Sequence, residues 1–125
     1  MKIEMIVEKT KKGYSAYAGK CPVYTNGSSL EELKINILEA LNLYYEVEGK
    51  VITEKDLKIT LDLPQFFEFY KVINAKALSE RIGMNQSLLA QYTKGIKKPS
   101  ANQTQRILQG VQQIGRELSD IKFLL

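Results

Sequence analysis

NAKALSERIGMNQSLLAQYTKGIKKP, residues 74–99, places two apolar stripes at helical spacing on either side of a glycine. Ala77, Leu78 and Ile82 form the first stripe and run into Gly83; Leu88, Leu89 and Tyr92 form the second, which Gly95 closes. Gly83-Met84-Asn85 links them, and glycine reverses a chain at positive φ without steric cost. Two short helices crossing over such a turn are expected to form a helix-turn-helix, whose second helix enters the DNA major groove.

A recognition helix needs short polar side chains at its start and its apolar residues behind. Asn85, Gln86 and Ser87 meet that need, and Asn85 or Ser87 can also cap the free N–H groups of the helix start. Glutamine can bond adenine through two contacts, and serine can bond several bases or a phosphate. Gln91 stands four positions after Ser87 and extends the same face. Lys94, Lys97 and Lys98 follow the helix, placed for the sugar-phosphate backbone. As single residues, all of these would also suit a solvated helical hairpin. Together, Ala77, Leu78, Ser79, Gly83, Gln86, Ser87, Leu89, Tyr92, Gly95 and Pro99 resemble the helix-turn-helix of phage-repressor and restriction-controller proteins. The resemblance implies binding to double-stranded operator DNA.

The charge of the chain supports the same division of roles. Residues 1–63 hold nine Lys and ten Asp or Glu, a net of −1, while residues 64–125 hold nine Lys or Arg and four Asp or Glu, a net of +5. A basic half carrying the helical pair is what nucleic-acid binding requires. A hydrophobic content of 44% and a charged content of 26% are those of a folded chain. No apolar run approaches the roughly 20 residues of a membrane span, so no membrane partner is expected. The start, MKIEMIVEKT, does not resemble a secretion signal, and the single Cys21 has no internal disulfide partner, so a cytoplasmic setting is expected. The absence of histidine excludes His-based acid-base catalysis and the usual zinc sets. The expectation is therefore a protein that is not an enzyme and needs no cofactor or metal.

Upstream, Ile3, Met5 and Val7 alternate with Lys2, Glu4 and Glu8 as in a half-buried strand. A lysine-rich link leads to a second strand at 13–18, with Tyr14, Ala16 and Ala18 on one face and Ser15 and Tyr17 on the other. A short extended piece over 21–25 precedes the expected turn Asn26-Gly27. Ser28 and Ser29 each stand three residues before a glutamate, a capping box in either register. The helix that follows carries the stripe Leu30, Leu33, Ile37, Leu41 and Tyr44, widened by Leu38 and Tyr45, and should end near Gly49. Leu57, Ile59, Leu61 and Leu63 then alternate inward as a strand that Pro64 stops. The fold class expected is α+β, a β-β-β-α-β domain over 1–63 followed by an all-α helix-turn-helix domain over 64–125. Pro64-Gln65 reads as the junction. Phe66, Phe69, Tyr70 and Ile73 read as a first helix packed on the helix-turn-helix. Ser100 reads as the N-cap of a last helix to about Leu118, with a stripe of Thr104, Ile107, Leu108, Val111, Ile114 and Leu118 that Gly110 and Gly115 loosen. This stripe either closes the helical core or serves as a homodimer seam. The apolar tail from Ile121 to Leu125 should dock on its own chain or on a partner.

The stretch from Gly13 to Glu46 resembles the N-terminal domain of HicB-type antitoxins. The residues that carry the resemblance are Gly13, Tyr14, Cys21, Pro22, Thr25, Gly27, Ser29, Leu30, Glu31, Glu32, Ala40, Leu41 and Tyr44. The family has Pro-Gly-Cys at the bend, where this chain has Gly19-Lys20-Cys21-Pro22. What the resemblance implies is a partial ribonuclease-H-like sheet without activity of its own. Such a domain covers a HicA-type toxin, a messenger-RNA ribonuclease, while the helix-turn-helix represses the operon encoding both. Tyr14, Tyr17 and Tyr24 are candidate anchors for the toxin, since aromatic side chains are common at interfaces; half-buried strand tyrosines are the plainer reading. Glu4, Glu8 and Asp62 lie on outward strand faces, without a second clustered set to hold a metal. The alternative function is a stand-alone transcriptional regulator whose first domain binds a small ligand or only dimerises.

Overall fold

Alternation gives β1 (Ile3–Thr10) one apolar face, on which Ile3, Met5 and Val7 are all buried. β2 (Gly13–Ala18) returns antiparallel, with Ala18 opposite Met5 and Ala16 opposite Val7. β3 (Tyr24–Gly27) pairs antiparallel with the far side of β2. Asn26-Gly27, expected as a turn, is the end of this strand, paired with Ser15 and Tyr14. The reversal lies earlier, where the Ala18 N–H donates to the Val23 carbonyl at 2.9 Å and closes the loop through Pro22.

The computed structural model, which describes residues 2–122, is α+β, with one four-stranded mixed sheet and five α-helices. Two compact units divide between Phe69 and Tyr70.

α1 (Leu30–Tyr45) starts at Ser29, whose hydroxyl accepts from the Glu32 N–H at 3.1 Å, while the Ser28 hydroxyl donates to the Glu32 carboxylate. Leu33, Ile37 and Leu41 are buried against Ile3, Met5, Val7, Ala16 and Ala18, and form the core of the first unit. Each such side chain contributes about 1.5–3 kcal/mol of apolar burial. Leu30 and Tyr44, at the first and last turns, are exposed instead of completing the stripe. A parallel neighbour for β1 needs a crossover, and α1 provides it. β4 (Leu57–Leu61) therefore runs parallel to β1 in the order β3-β2-β1-β4, with Leu57, Ile59 and Leu61 opposite Ile3, Met5 and Val7. As an edge strand it is only partly covered: Ile59, expected inward, is 55% exposed.

The structure departs from expectation after β4. The strand ends at Leu61, and α2 (Leu63–Phe69) begins before Pro64, in the first turn, where a missing N–H is harmless. The Asp62 carboxylate accepts from the Gln65 N–H at 3.1 Å. Gln65, expected at a junction, uses its amide to accept from the Lys9 N–H at 2.9 Å and to donate to the Lys9 carbonyl at 2.6 Å. It thus satisfies β1 where β4 has stopped. The Lys9 ammonium lies 5.5 Å from the Phe69 ring centroid. The aromatic helix is in this way tied to the sheet unit, and it stops before Tyr70 instead of continuing to Ile73. Past the stop, the Ile73 N–H donates to the Tyr70 carbonyl and Asn74 caps the next helix.

The second unit holds α3 (Ala75–Ile82), α4 (Gln86–Thr93) and α5 (Ala101–Ser119). Its core is Leu78, Ser79, Met84, Leu89, Tyr92 and Ile107. Ala77, expected in the α3 stripe, is exposed, and Ser79 takes the inward position with its hydroxyl donating to the Lys76 carbonyl at 2.6 Å. Ser100 caps α5 as expected, accepting from the Gln103 N–H at 3.2 Å. Gly110 does more than loosen α5. A Cβ there would sit 2.4 Å from Ile82 Cγ2, so the glycine lets α5 approach α3. Leu118, at the end of the expected stripe, is 62% exposed, as is most of the final turn. Of the apolar tail, Ile121 is exposed, and Phe123, Leu124 and Leu125 lie outside the described residues.

Candidate nucleic-acid interface

The turn between α3 and α4 is closed by two backbone bonds. The Gly83 N–H donates to Glu80 at 3.4 Å and the Met84 N–H to Ser79 at 2.9 Å, with Gly83 at φ 68°. This pairing ends helices through a left-handed glycine, followed by an apolar residue that packs back. Met84 is that residue and is buried; its place in the link hid it from the sequence reading. Arg106 of α5 adds a third hold, donating to the Ile82 carbonyl at 2.9 Å and the Gly83 carbonyl at 3.4 Å. A guanidinium on the orphan carbonyls of a helix end is favourable in both hydrogen bonding and dipole terms. Nothing in the local sequence announces it, since the partners are far apart in the chain.

α4 presents the residues expected to contact DNA in two groups. The Asn85 side chain accepts from the Leu88 N–H at 3.1 Å and so serves as the N-cap. Its amide oxygen is committed to the helix. Gln86, Ser87 and Gln91 are exposed, opposite the buried Leu89 and Tyr92, and their side chains make no hydrogen bond among the described residues. Past the helix, the Ile96 and Lys97 N–H groups both donate to the Gln91 carbonyl, at 2.9 and 3.3 Å. That folds the lysine loop back onto the end of α4, so Lys94, Lys97 and Lys98, all exposed, lie around it. Ile96 is exposed among them and was not singled out from the sequence. On the far side, Arg81 is paired with Glu117, whose carboxyl is held below the usual range by hydrogen bonds from Arg81 and then Gln113.

The three tyrosines of the first unit are not brought together. Tyr14 points to the α1 side, packed against the core with the Lys9 ammonium 4.8 Å from its ring centroid. Tyr17 and Tyr24 are register partners on the other face, and Ile6 and Thr60 continue their row across all four strands. Tyr24 is well exposed and Tyr17 half-buried. The Tyr17 hydroxyl is pushed above its ordinary value, first by burial and then by Asp62, Glu8 and Glu4. Those carboxylates thus give the tyrosine face a negative field. Among the described residues, no three His, Cys, Asp or Glu side chains are grouped so as to hold a metal.

No helix among the described residues is long and apolar enough to cross a membrane. Comparison with protein-family models, curated proteins and solved structures finds no match to the chain.

Proposed function

We propose that the chain is an antitoxin and autorepressor of the HicB type. Its second unit binds operator DNA through a helix-turn-helix made by α3 and α4, and its first unit binds and blocks a HicA-type ribonuclease toxin. The observation that carries the DNA-binding half is α4 itself. Its inner face is buried, its start is capped, and its outward residues Gln86, Ser87 and Gln91 adjoin Lys94, Lys97 and Lys98. Side chains of this kind read base edges from the start of a helix, and the lysines beside it suit phosphates. Binding as a homodimer is part of the proposal, since repressors of this geometry read two half-sites about 34–36 Å apart. Leu118 at the end of α5 and Ile121 just past it are exposed and would suit such a contact.

The toxin-binding half rests on the sequence resemblance and on the Tyr17–Tyr24 row, half-buried at Tyr17 and exposed at Tyr24, with its carboxylates, a surface suited to a basic RNA-binding partner. The test uses the full chain. It is co-purified with the product of the adjacent gene, and RNA cleavage by that product is measured with and without it. In parallel, DNA from the operon's upstream region is titrated with the wild-type chain. Binding with loss of cleavage, together with saturable operator binding, is the expected outcome. Operator binding without any effect on a folded, active neighbour moves the function to the stand-alone regulator.

A further inference from the structure

α1 has an outer face that nothing in its unit covers. Leu43 is 72% exposed and Val47, in the single turn that follows α1, is 96% exposed. Val51, across a shallow groove from them, is 79% exposed. The groove is built by specific bonds. After the turn, the chain reverses at Gly49, at φ 69°, whose N–H donates to Glu46 at 3.0 Å. The returning segment is then fastened to α1 by Asn42, whose side chain accepts from the Ile52 N–H at 2.7 Å and donates to the Ile52 carbonyl at 3.0 Å. Ile52 is itself buried in the core. Leu43 and Val51 therefore stand on two walls locked together, and their exposure is held in place by the fold.

The charge around the groove selects what can cover it. Glu39 and Glu46 line it, and neither forms a salt bridge among the described residues. The last turn of α1 has no basic residue, so the negative end of the helix dipole is uncompensated there. Lys50, the one cation lining the groove, is engaged by Glu48 at 3.3 Å and lies 5.7 Å from the Tyr45 ring centroid. The lining thus holds two carboxylates, Glu39 and Glu46, against the single ammonium of Lys50. Apolar walls with carboxylates along the α1 side fit a lysine or arginine whose aliphatic stem lies along Leu43 and Val51.

We propose that the groove between the C-terminal half of α1 and residues 49–51 is a docking site for a basic amphipathic helix of a partner protein. It lies on the side of the sheet opposite the Tyr17–Tyr24 row, goes beyond the proposed function, and does not depend on it.

The probe is a short helical peptide with leucines on one face and lysines flanking them, titrated into the full, isotope-labelled chain while amide shifts are followed. Saturable shifts confined to residues 39–51 are expected, and they weaken as salt is raised. The same peptide with glutamate for lysine should not produce them. Reversing the rim in E39K/E46K should lower affinity about tenfold. L43S, which removes one apolar wall without touching the charge, should also weaken binding; it carries the test if the charge variant proves misfolded. Shifts mapping elsewhere, no shifts at all, or equal binding by either variant would overturn the proposal. So would shifts at 39–51 that follow protein concentration without peptide, because a second copy would then be the occupant.

Discussion

Two glycines of one helix should respond differently to the same substitution. In α5, Gly110 and Gly115 each become about 1 kcal/mol better as helix formers on change to alanine. At Gly115 nothing lies within 4 Å of the added Cβ, so Gly115→Ala should stabilise the second unit by about that amount. At Gly110 the added carbon would lie 2.4 Å from Ile82 Cγ2 and 3.3 Å from Leu78 Cδ1. The first of these atoms is a methyl on a β-branched carbon with little rotameric freedom, and Leu78 is 1% exposed. α5 must then move off α3, at an overpacking cost of about 1–3 kcal/mol. The propensity gain is common to both variants, so the gap between them isolates that cost. It corresponds to roughly 4–8 °C in melting temperature for each kcal/mol in a domain of this size. Chemical denaturation followed through amide signals of α3 and α5 measures it without mixing in the first unit. Equal stabilisation by both substitutions would refute the close approach of the two helices.

Gln86→Ala should relax operator specificity at a cost of about 1–3 kcal/mol while leaving the affinity for unrelated DNA nearly unchanged. A uniform loss on every sequence would remove Gln86 from base reading. Replacing Lys97 and Lys98 together by alanine should lower affinity for all DNA and reduce the slope of log K against log salt by about two. A salt titration with an unaltered slope would rule them out as phosphate contacts. Asn85→Ala should destabilise the second unit by about 1 kcal/mol through loss of the N-cap, whereas Asn85→Ser should retain both stability and operator preference. A changed preference in a stable serine variant would show that Asn85 reads a base as well. Glu117, with its folded-state value depressed by Arg81, stabilises the fold above the ordinary carboxylate range and loses that contribution as pH falls through the depressed value. Arg81→Gln should flatten this part of the stability–pH curve, as measured by denaturation at a series of pH values.

Periodicity made the regular elements legible. Ile3, Met5 and Val7 read as one strand face, and Leu33, Ile37 and Leu41 as one helix face, because one-sided burial imposes those repeats. Caps were also legible at Ser29, Asn85 and Ser100, short polar residues placed just before helical runs, whereas the Asn74 cap of α3 was not singled out. The region from Asp62 to Ile73 was not legible. Its aromatic residues fit a long helix by spacing alone, but the decisive bonds join Gln65 to Lys9 across more than fifty residues. Proximity of that kind leaves no local pattern. The packing role of Gly110 was hidden for the same reason, as it depends on Ile82 of another helix. Within the candidate DNA site, exposure of Gln86, Ser87 and Gln91 followed from the stripe opposite them, while Arg106 and Met84 became visible only once the helices were in place.

The arrangement around α4 shows how so short an element could hold side chains for the recognition proposed above. α4 has eight residues, and an isolated helix of that length does not persist in water. It is held at its start by the Asn85 cap, behind by the burial of Leu89 and Tyr92, and at its end by the bonds of Ile96 and Lys97 to Gln91. The turn that sets its direction is fixed by Gly83 and Met84 and by Arg106 from α5. All these restraints act on the inner face and the ends. The outer face has no structural task, so Gln86, Ser87 and Gln91 can vary in identity without cost to the fold. Under the proposed function, changes at those three positions should alter which DNA is bound, whereas a change at Arg106 should weaken binding to every sequence by loosening the helix that presents them.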